Sequence, residues 1–201
     1  MRADWPGESV SRIPNWLYTD PEVYAREQAR IFGGRSWCYV GLGVEVPGPG
    51  DFKRSFVGER PVILVRDDAG ALRVLENRCA HRGLQLCLRP HGRVRELVCP
   101  YHQWTYDLTG RLVGVPFRRG VKGQGGMPPE FQLEAHALGS LAVAERHGVV
   151  FASFDAGTEP LADYLGPASA SRCTARSSSR SGPGASGAST FTAATQSRVW
   201  P

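Results

Sequence analysis

Two short Cys/His pairs constrain the fold of this chain more than any other feature. Cys79 and His81 form a C-x-H pair, Cys99 and His102 form a C-x2-H pair, and 17 residues lie between His81 and Cys99. Strand patterns flank both pairs, so two neighbouring loops could bring two thiolates and two imidazoles together. This set could hold one zinc ion, or a two-iron cluster with the thiolates on one iron and the imidazoles on the other. The spacing favours the cluster, because zinc sites more often use C-x2-C pairs with longer His spacings.

The cysteine count also favours a metal site. The chain has five cysteines in 201 residues. An odd number of thiols with histidine neighbours is more typical of metal binding in a reducing compartment than of disulfides. The sequence has no apolar run of about 18 residues and no signal peptide at its start, so we expect a cytoplasmic protein without a membrane span.

The net charge of +5 does not indicate nucleic-acid binding. Residues 1–165 contain 20 Lys and Arg against 19 acidic residues, and residues 166–201 contain four Arg and no acid. The excess charge therefore belongs to the tail. The body has no basic stripe interleaved with aromatic residues of the kind that binds nucleic acid.

The pattern of apolar runs and turn residues predicts a mostly β, antiparallel domain after an N-terminal helix. Asp20 or Thr19 is a suitable N-cap for a helix from Pro21 to about Phe32. The predicted strands span residues 37–42, 51–57, 62–66, 72–75, 94–98, 105–106 and 112–115, and a last hairpin spans residues 141–154. We therefore expect an N-terminal segment over residues 1–35, the β domain over residues 36–155, and a linker and low-complexity tail over residues 156–201.

The composition of the chain changes after residue 165. Of the last 36 residues, 31 are Ser, Ala, Gly, Thr, Arg or Pro, without helical or strand periodicity. Such a segment buries too little apolar surface to order itself, which predicts a disordered tail. A shift of the reading frame from about residue 166 would produce the same mixture, and we favour that explanation.

Residues 77–83 (NRCAHRG) and 99–110 (CPYHQWTYDLTG) resemble the two cluster-binding loops of Rieske non-haem iron oxygenase large (α) subunits. The resemblance implies a Rieske-type [2Fe–2S] cluster on the four residues of the two pairs. Gln103 stands where the family usually has Gly. Leu84 and Tyr101 stand where high-potential Rieske proteins place an extra Cys, so the chain is similar to the oxygenase type.

The resemblance covers about residues 12–155 and is greatest to large subunits that hydroxylate aromatic carboxylates such as salicylate, anthranilate or benzoate. It implies a ring-hydroxylating dioxygenase of aromatic catabolism, in which a ferredoxin or reductase supplies electrons that pass to a mononuclear Fe(II) for O₂ activation. It also implies an α-subunit trimer with a possible small β subunit. The two His and one carboxylate that hold the mononuclear iron have no counterpart here, so no catalytic residue is assigned. We expect a chain that lacks the catalytic domain and is inactive alone.

Two alternatives remain open at the level of the sequence. The first is a stand-alone Rieske ferredoxin that only carries electrons, although such proteins seldom begin with an entry helix. The second is a zinc-bound structural module.

The remaining notable residues have plainer interpretations. We expect Trp104 to pack beneath the cluster loops, and Arg82 to be either a surface charge or a contact for a partner. Other histidines and cysteines are interpreted as surface, turn or buried apolar residues rather than ligands: His91, His136, His147, Cys38 and Cys87. Cys173 lies in the doubtful tail.

Overall fold

The computed structural model describes residues 13–166. The expected disordered tail, the frame shift from about residue 166 and Cys173 lie outside these residues. Within them, no helix is both long enough and apolar enough to cross a membrane. The cytoplasmic location stays a prediction.

The N-terminal helix begins where its capping residue predicts. The helix α1 spans Pro21–Glu27, and the Asp20 carboxylate accepts hydrogen bonds from the backbone N–H groups of Glu22 (2.8 Å) and Val23 (3.3 Å). The helical path continues as a π turn over Gln28–Phe32 and ends at Gly33. The predicted helical extent, residues 21–32, is confirmed.

Within residues 13–166, ten short antiparallel strands follow α1 and form three sheets. Their orders are β1-β10-β9, β4-β3-β2-β5 and β6-β7-β8. This arrangement confirms the mostly β, antiparallel fold. The strands are β1 (Cys38–Leu42), β2 (Asp51–Val57), β3 (Arg60–Arg66), β4 (Leu72–Glu76), β5 (His91–Arg93), β6 (Leu97–Val98), β7 (Thr105–Tyr106), β8 (Leu112–Gly114), β9 (Ala142–Arg146) and β10 (Val149–Ser153).

The last hairpin forms as predicted, around a two-residue turn. Arg146 pairs with Val149, and His147 and Gly148 between them have φ angles of 51° and 79°. Two successive positive φ angles are typical of the type I′ turn, whose twist matches that of the flanking strands. The turn fixes the register of β9 against β10.

Strand β5 differs from the prediction. The sequence predicts one strand over residues 94–98, whereas the structure places β5 at His91–Arg93 and β6 at Leu97–Val98. The sequence of β5 is His-Gly-Arg, which has no β-branched or aromatic residue. This strand forms because its backbone pairs with the edge of β2, through Asp51, Phe52 and Lys53.

The buried apolar residues divide into two clusters. One packs β1 and β10 against β3 around Val40, Leu64 and Val150. The other lies beneath the two Cys/His loops and includes both candidate cysteines together with Leu75, Leu97 and Trp104. The two thiols are therefore part of a packed core.

Residues 156–166 pack on the domain, although they are predicted to be linker. They include a short helix, α2 (Leu161–Leu165), whose Leu161 is buried. The indole N–H of Trp37 donates to the Glu159 carbonyl (2.8 Å). The division into three segments at residues 35 and 155 stays a prediction.

Candidate metal centre

The two Cys/His loops share one backbone geometry. In the first loop the Cys79 N–H donates to the Leu84 carbonyl (2.8 Å) and the Gly83 N–H donates to the Cys79 carbonyl (2.9 Å). In the second loop the corresponding bonds run from Cys99 to Trp104 and from Gln103 to Cys99, both at 2.9 Å. Each loop thus closes six residues onto its cysteine. One loop places its His at the third position and the other at the fourth.

The loops bring the four predicted ligands to one end of the domain. Cys79 and Cys99 are each only 2% exposed and belong to the same buried cluster. The imidazole rings of His81 and His102 are half-buried and lie 4.7 Å apart, centroid to centroid, in an edge-to-face arrangement. The structure therefore gathers two buried sulfurs and two more exposed imidazoles from the predicted loops.

His81 carries an atom that fits a metal ligand. Its Nδ1 is buried and has no hydrogen-bond partner, whereas buried polar atoms in proteins are almost always hydrogen-bonded. Desolvation by burial lowers the pKa of His81, and the charges of His102 and Arg82 act in the same direction. The ring is thereby held neutral, and a neutral imidazole is the form that binds a metal ion.

The donor set of two thiols and two imidazoles fits a two-iron cluster, which takes two thiolates on one iron and two imidazoles on the other. Four such ligands around one point would instead hold a structural zinc ion. Among residues 13–166, no group of three or more Cys, His, Asp or Glu side chains is placed to hold one metal ion.

Tyr106 is a site residue that the sequence did not single out. Its side chain is fully buried, and its hydroxyl oxygen accepts a hydrogen bond from the Ala80 N–H (3.0 Å) and lies 3.2 Å from the Cys79 sulfur. A thiolate cannot donate a proton, so the Tyr106 hydroxyl donates to the sulfur when Cys79 is a metal ligand. Burial raises the pKa of Tyr106, and the hydrogen bond with Cys79 raises it further. The hydroxyl therefore keeps its proton.

Asn77 ties together the two ends of the first cluster loop. Its side chain is fully buried, and its Oδ1 accepts from the N–H groups of Leu86 (2.8 Å) and Cys87 (2.9 Å). Its Nδ2 donates to the Cys87 carbonyl (2.9 Å). Burial raises the pKa of the Cys87 thiol to about 11, so this cysteine stays protonated. The expected non-ligand role of Cys87 agrees with this environment.

Aromatic rings cover the imidazoles. Trp104 is 3% exposed and stacks on His81 with a centroid distance of 4.7 Å, which confirms its predicted position beneath the loops. His136 packs edge-on against Trp104 (5.6 Å) and stacks on Phe131 (4.5 Å). His136 ends a single helical turn, Leu133–His136, as expected of a turn histidine, and it also belongs to the aromatic shell of the site. No local sequence signal reveals this contact.

An opening of about 370 Å³ lies in front of the two imidazoles. Its walls come from the two cluster loops and from residues 116–127: His81, Tyr101, His102, Gln103, Trp104, Pro116, Phe117 and Met127. Tyr101 packs on His102 with a centroid distance of 3.7 Å and is 59% exposed. The imidazole side of the centre thus faces the surface, while the sulfur side faces the core.

Residues 36–124 match the family model described as the Rieske [2Fe-2S] domain. This chain carries a Rieske [2Fe–2S] domain. The observed environment fits the cluster of that family, with two buried thiols, two neighbouring imidazoles and an unpartnered ring nitrogen.

The sequence of this chain is similar to the large subunits of named oxygenases. The chain is 56% identical over 167 residues to the large oxygenase component of salicylate 5-hydroxylase from a Ralstonia species, a match that covers 81% of this chain and 40% of the relative. It is 48% identical over 162 residues to the anthranilate 1,2-dioxygenase large subunit of Burkholderia cepacia, covering 81% of this chain and 38% of the relative. The domain is therefore similar to those of oxygenase large subunits, as its loops predict.

Solved structures of oxygenases also match the fold of this chain. This chain superimposes on naphthalene 1,2-dioxygenase from Rhodococcus with a TM-score of 0.69 at 35% identity, covering 78% of this chain and 34% of the other. A quaternary ammonium Rieske monooxygenase matches with a TM-score of 0.69 at 30% identity, covering 79% of this chain and 42% of the other. The chain spans about two fifths or less of the length of these curated relatives and solved chains.

Proposed function

We propose that this chain is the electron-transfer domain of a ring-hydroxylating oxygenase large subunit, with a [2Fe–2S] cluster held by Cys79, His81, Cys99 and His102. The observation that carries the proposal is the pair of matching loops, which put two buried thiols and two touching imidazoles at one end of the domain. The orphaned Nδ1 of His81 supports the assignment.

The residues around the site have different roles toward the cluster. When bound, the cluster supplies a one-electron carrier whose potential lies in the range of about −150 to +300 mV that His ligation gives. The core around Cys79 and Cys99 excludes water from the sulfurs, and the Tyr106 hydroxyl donates to one of them. His81 and His102 border the opening, so they provide the short path between the cluster and a partner at the surface.

The names of the relatives support a place for this domain in a larger enzyme. We infer that a ferredoxin or reductase reduces the domain, and that electrons leave through His81 or His102 toward a mononuclear iron in a catalytic domain, which uses O₂. The trimer with a possible β subunit, in which one subunit's cluster faces the next subunit's iron, belongs to the same inference.

The order of sequence identity among the relatives supports an aromatic carboxylate as substrate. Three relatives at 45% identity or more are named for salicylate, anthranilate and terephthalate. Relatives named for glycine betaine and biphenyl are 40% and 36% identical. Salicylate, anthranilate and terephthalate each combine an aromatic ring with a carboxylate. Glycine betaine and biphenyl do not combine these two groups.

Ligand replacement tests the proposed site. The full 201-residue chain is purified with its iron and sulfide, and Cys79→Ala, His81→Ala, Cys99→Ala and His102→Ala are compared with Cys87→Ala and His91→Ala. We expect each ligand variant to lose the iron–sulfur absorption and most of its iron, and both controls to keep them. Retention of a full cluster by a ligand variant, or its loss from both controls, would reject the assignment.

A further inference from the structure

A second opening of the protein lies on the flank of the cluster loops. It has a volume of about 400 Å³ and runs between residues 86–89, where the first loop ends, and the segment 92–100, which leads into the second loop. It shares none of its lining residues with the opening in front of the imidazoles. Small-molecule sites in proteins are mostly apolar clefts of about 300–1,000 Å³ with a few polar groups. This second opening, the flank groove, has the size of such a site.

The floor of the flank groove is apolar. It is lined by the buried side chains of Phe52, Leu86 and Leu97. Cys87 lies beside them, and burial raises the pKa of its thiol to about 11, so the sulfur carries no charge at neutral pH. A thiol sulfur and an aromatic ring are both polarisable surfaces against which a planar ring packs well. This floor therefore suits a ligand with an aromatic ring.

Hydrogen bonds hold both walls of the flank groove in place. On one side the Arg54 guanidinium donates to the Leu88 carbonyl, and Asn77 holds the backbone where the first loop ends. On the other side the Val94 N–H donates to the Gly50 carbonyl (3.0 Å). A cleft whose walls are already ordered loses less conformational freedom when a ligand binds, which favours binding.

The rim of the flank groove has an excess of positive charge. Arg89 and Arg93 are basic, and Glu96 is the acidic residue of the lining. Arg93 is partly engaged, because its guanidinium donates to the Pro49 carbonyl (3.1 Å) and lies 3.8 Å from the Asp51 carboxylate. Arg89 is exposed and forms no ion pair with any other residue in the range 13–166. A free guanidinium binds a carboxylate through two parallel hydrogen bonds, so this rim favours a ligand with one carboxylate.

We propose that the flank groove binds a small aromatic carboxylate, with the ring on the apolar floor and the carboxylate on Arg89. The inference goes beyond the proposed function, because this site lies within the described domain and is separate from any catalytic iron. Leu86 and Cys87 end the first cluster loop, and Pro100 directly follows Cys99 in the second. A ligand in the groove therefore contacts both loops and stabilises them.

Calorimetry with benzoate tests this site, because benzoate joins one ring to one carboxylate. Its affinity is measured for the full 201-residue chain, loaded with iron and sulfide. Arg89→Gln removes the free charge, and Leu88→Gln removes an exposed apolar part of the wall. Arg95→Gln and Val113→Gln make the same two changes at exposed positions that do not line the groove. We expect Arg89→Gln to weaken binding about tenfold, Leu88→Gln about threefold, and both controls less than about twofold.

The two parts of the ligand are tested separately. Benzyl alcohol, which lacks the carboxylate, and acetate, which lacks the ring, should each bind about tenfold or more weakly than benzoate. Benzoate should also slow the loss of iron to a chelator from the unaltered chain, because a ligand that binds the folded protein stabilises it. The same concentration of benzoate should protect Arg89→Gln much less.

The outcomes separate this inference from the proposed function. A chain that keeps its iron–sulfur absorption but binds no benzoate, or binds it equally well in all four variants, overturns the site in the flank groove and leaves the proposed function standing. Dimerisation of the chain that Leu88→Gln abolishes also overturns it, because the groove would then belong to a second copy. A chain that binds benzoate with the expected pattern of losses but forms no cluster supports the groove and rejects the proposed function.

Discussion

The hydroxyl of Tyr106 is the polar group that most directly sets the environment of Cys79. It receives a hydrogen bond from the Ala80 backbone, which orients its own proton toward the sulfur 3.2 Å away. A hydrogen bond to a cluster sulfur is stronger when the cluster is reduced and more negative. The contact should therefore raise the reduction potential.

We predict that Tyr106→Phe lowers the cluster potential by about 50 mV, which corresponds to about 1 kcal/mol for one electron. A redox titration of the reconstituted full chain measures the change. Tyr101→Phe is the matched control, since Tyr101 packs on His102 but its ring is 59% exposed. A potential that moves equally in both variants would mean that the hydroxyl of Tyr106 is not responsible.

Gln103 occupies a backbone position that suits glycine. Its counterpart in the first loop is Gly83, and the two residues have φ angles of 56° and 76° at the same place in the loop closure. A non-glycine residue in this region costs about 1 kcal/mol. The departure of Gln103 from the family pattern thus removes no ligand but strains the second loop.

We predict that Gln103→Gly stabilises the chain by about 1 kcal/mol, measured by chemical denaturation. His147→Gly should give a similar gain, because His147 has a φ of 51° in the β9–β10 turn. Only the first variant changes the wall of the opening. If Gln103→Gly lowers the free energy of unfolding while His147→Gly raises it, the contacts of the Gln103 side chain stabilise the fold by more than its backbone strain destabilises it.

The four candidate ligands could be predicted because their signal is local, two short spacings in one stretch of sequence. The polar residues that contact the ligands and their loops could not be predicted. Tyr106 reaches Cys79 across 27 positions, and Asn77 reaches Cys87 across 10. Such contacts depend on how the strands bring the loops together, which local spacing does not encode.

The β3–β4 turn and the β7–β8 turn, which belong to different sheets, have the same set of hydrogen bonds. Asp67 and Asp107 each begin an Asp-x-x-Gly turn, in which the carboxylate accepts backbone hydrogen bonds from residues two and four positions later. An arginine completes each set, Arg73 with Asp67 and Arg111 with Asp107, both at 2.8 Å. Burial opposes the charge of Asp67, but the hydrogen bonds prevail and lower its pKa below the ordinary 3.8.

Asp67 should make stability depend on acid pH. Because its folded-state pKa is lowered, its contribution is complete above the unfolded-state value near 3.8 and is lost as the pH falls through the folded-state value. We predict that Asp67→Asn costs about 2 kcal/mol at neutral pH and flattens the decline in unfolding free energy below about pH 4. Urea unfolding over a pH series measures both effects. Asp68→Asn, in the same turn, is the control, and an equal loss there would contradict the assignment.

The first cluster loop depends on Asn77 at its base. We predict that Asn77→Ala costs about 3 kcal/mol, since two backbone N–H groups and one carbonyl lose their buried partner. The variant should also release iron to a chelator faster than the unaltered chain. Asn15→Ala, at an exposed position, should change neither quantity. Unchanged iron release from Asn77→Ala would mean that the loop holds its shape without this residue.

Elements with strong local signals could be predicted from sequence, and the others could not. The cap at Asp20 and the turn at His147-Gly148 predict α1 and the last hairpin. Strand β5 has no such signal, because pairing with the β2 edge alone creates it. The packing of residues 156–166 depends on Trp37, which lies more than 120 positions away in the chain.

At the scale of the whole molecule, the two sides of the candidate centre lie in opposite environments, one in the core and one at the surface. The sulfur side lies in the packed core with Trp104 and Tyr106, which excludes water. The imidazole side borders the surface opening that Tyr101 and Phe117 also line. This polarity suits a domain that exchanges electrons with other proteins, and it requires the ligands to be divided by type between the two irons.

Mössbauer spectroscopy of the full chain, loaded with isotopically enriched iron, tests this central claim most directly. If Cys79 and Cys99 hold one iron and His81 and His102 the other, the oxidised protein will give two quadrupole doublets of equal area, one from a site with four sulfur ligands and one from a site with two nitrogens. A single doublet, or a purified protein that contains zinc and no iron, would contradict the assignment of a Rieske cluster to these four residues.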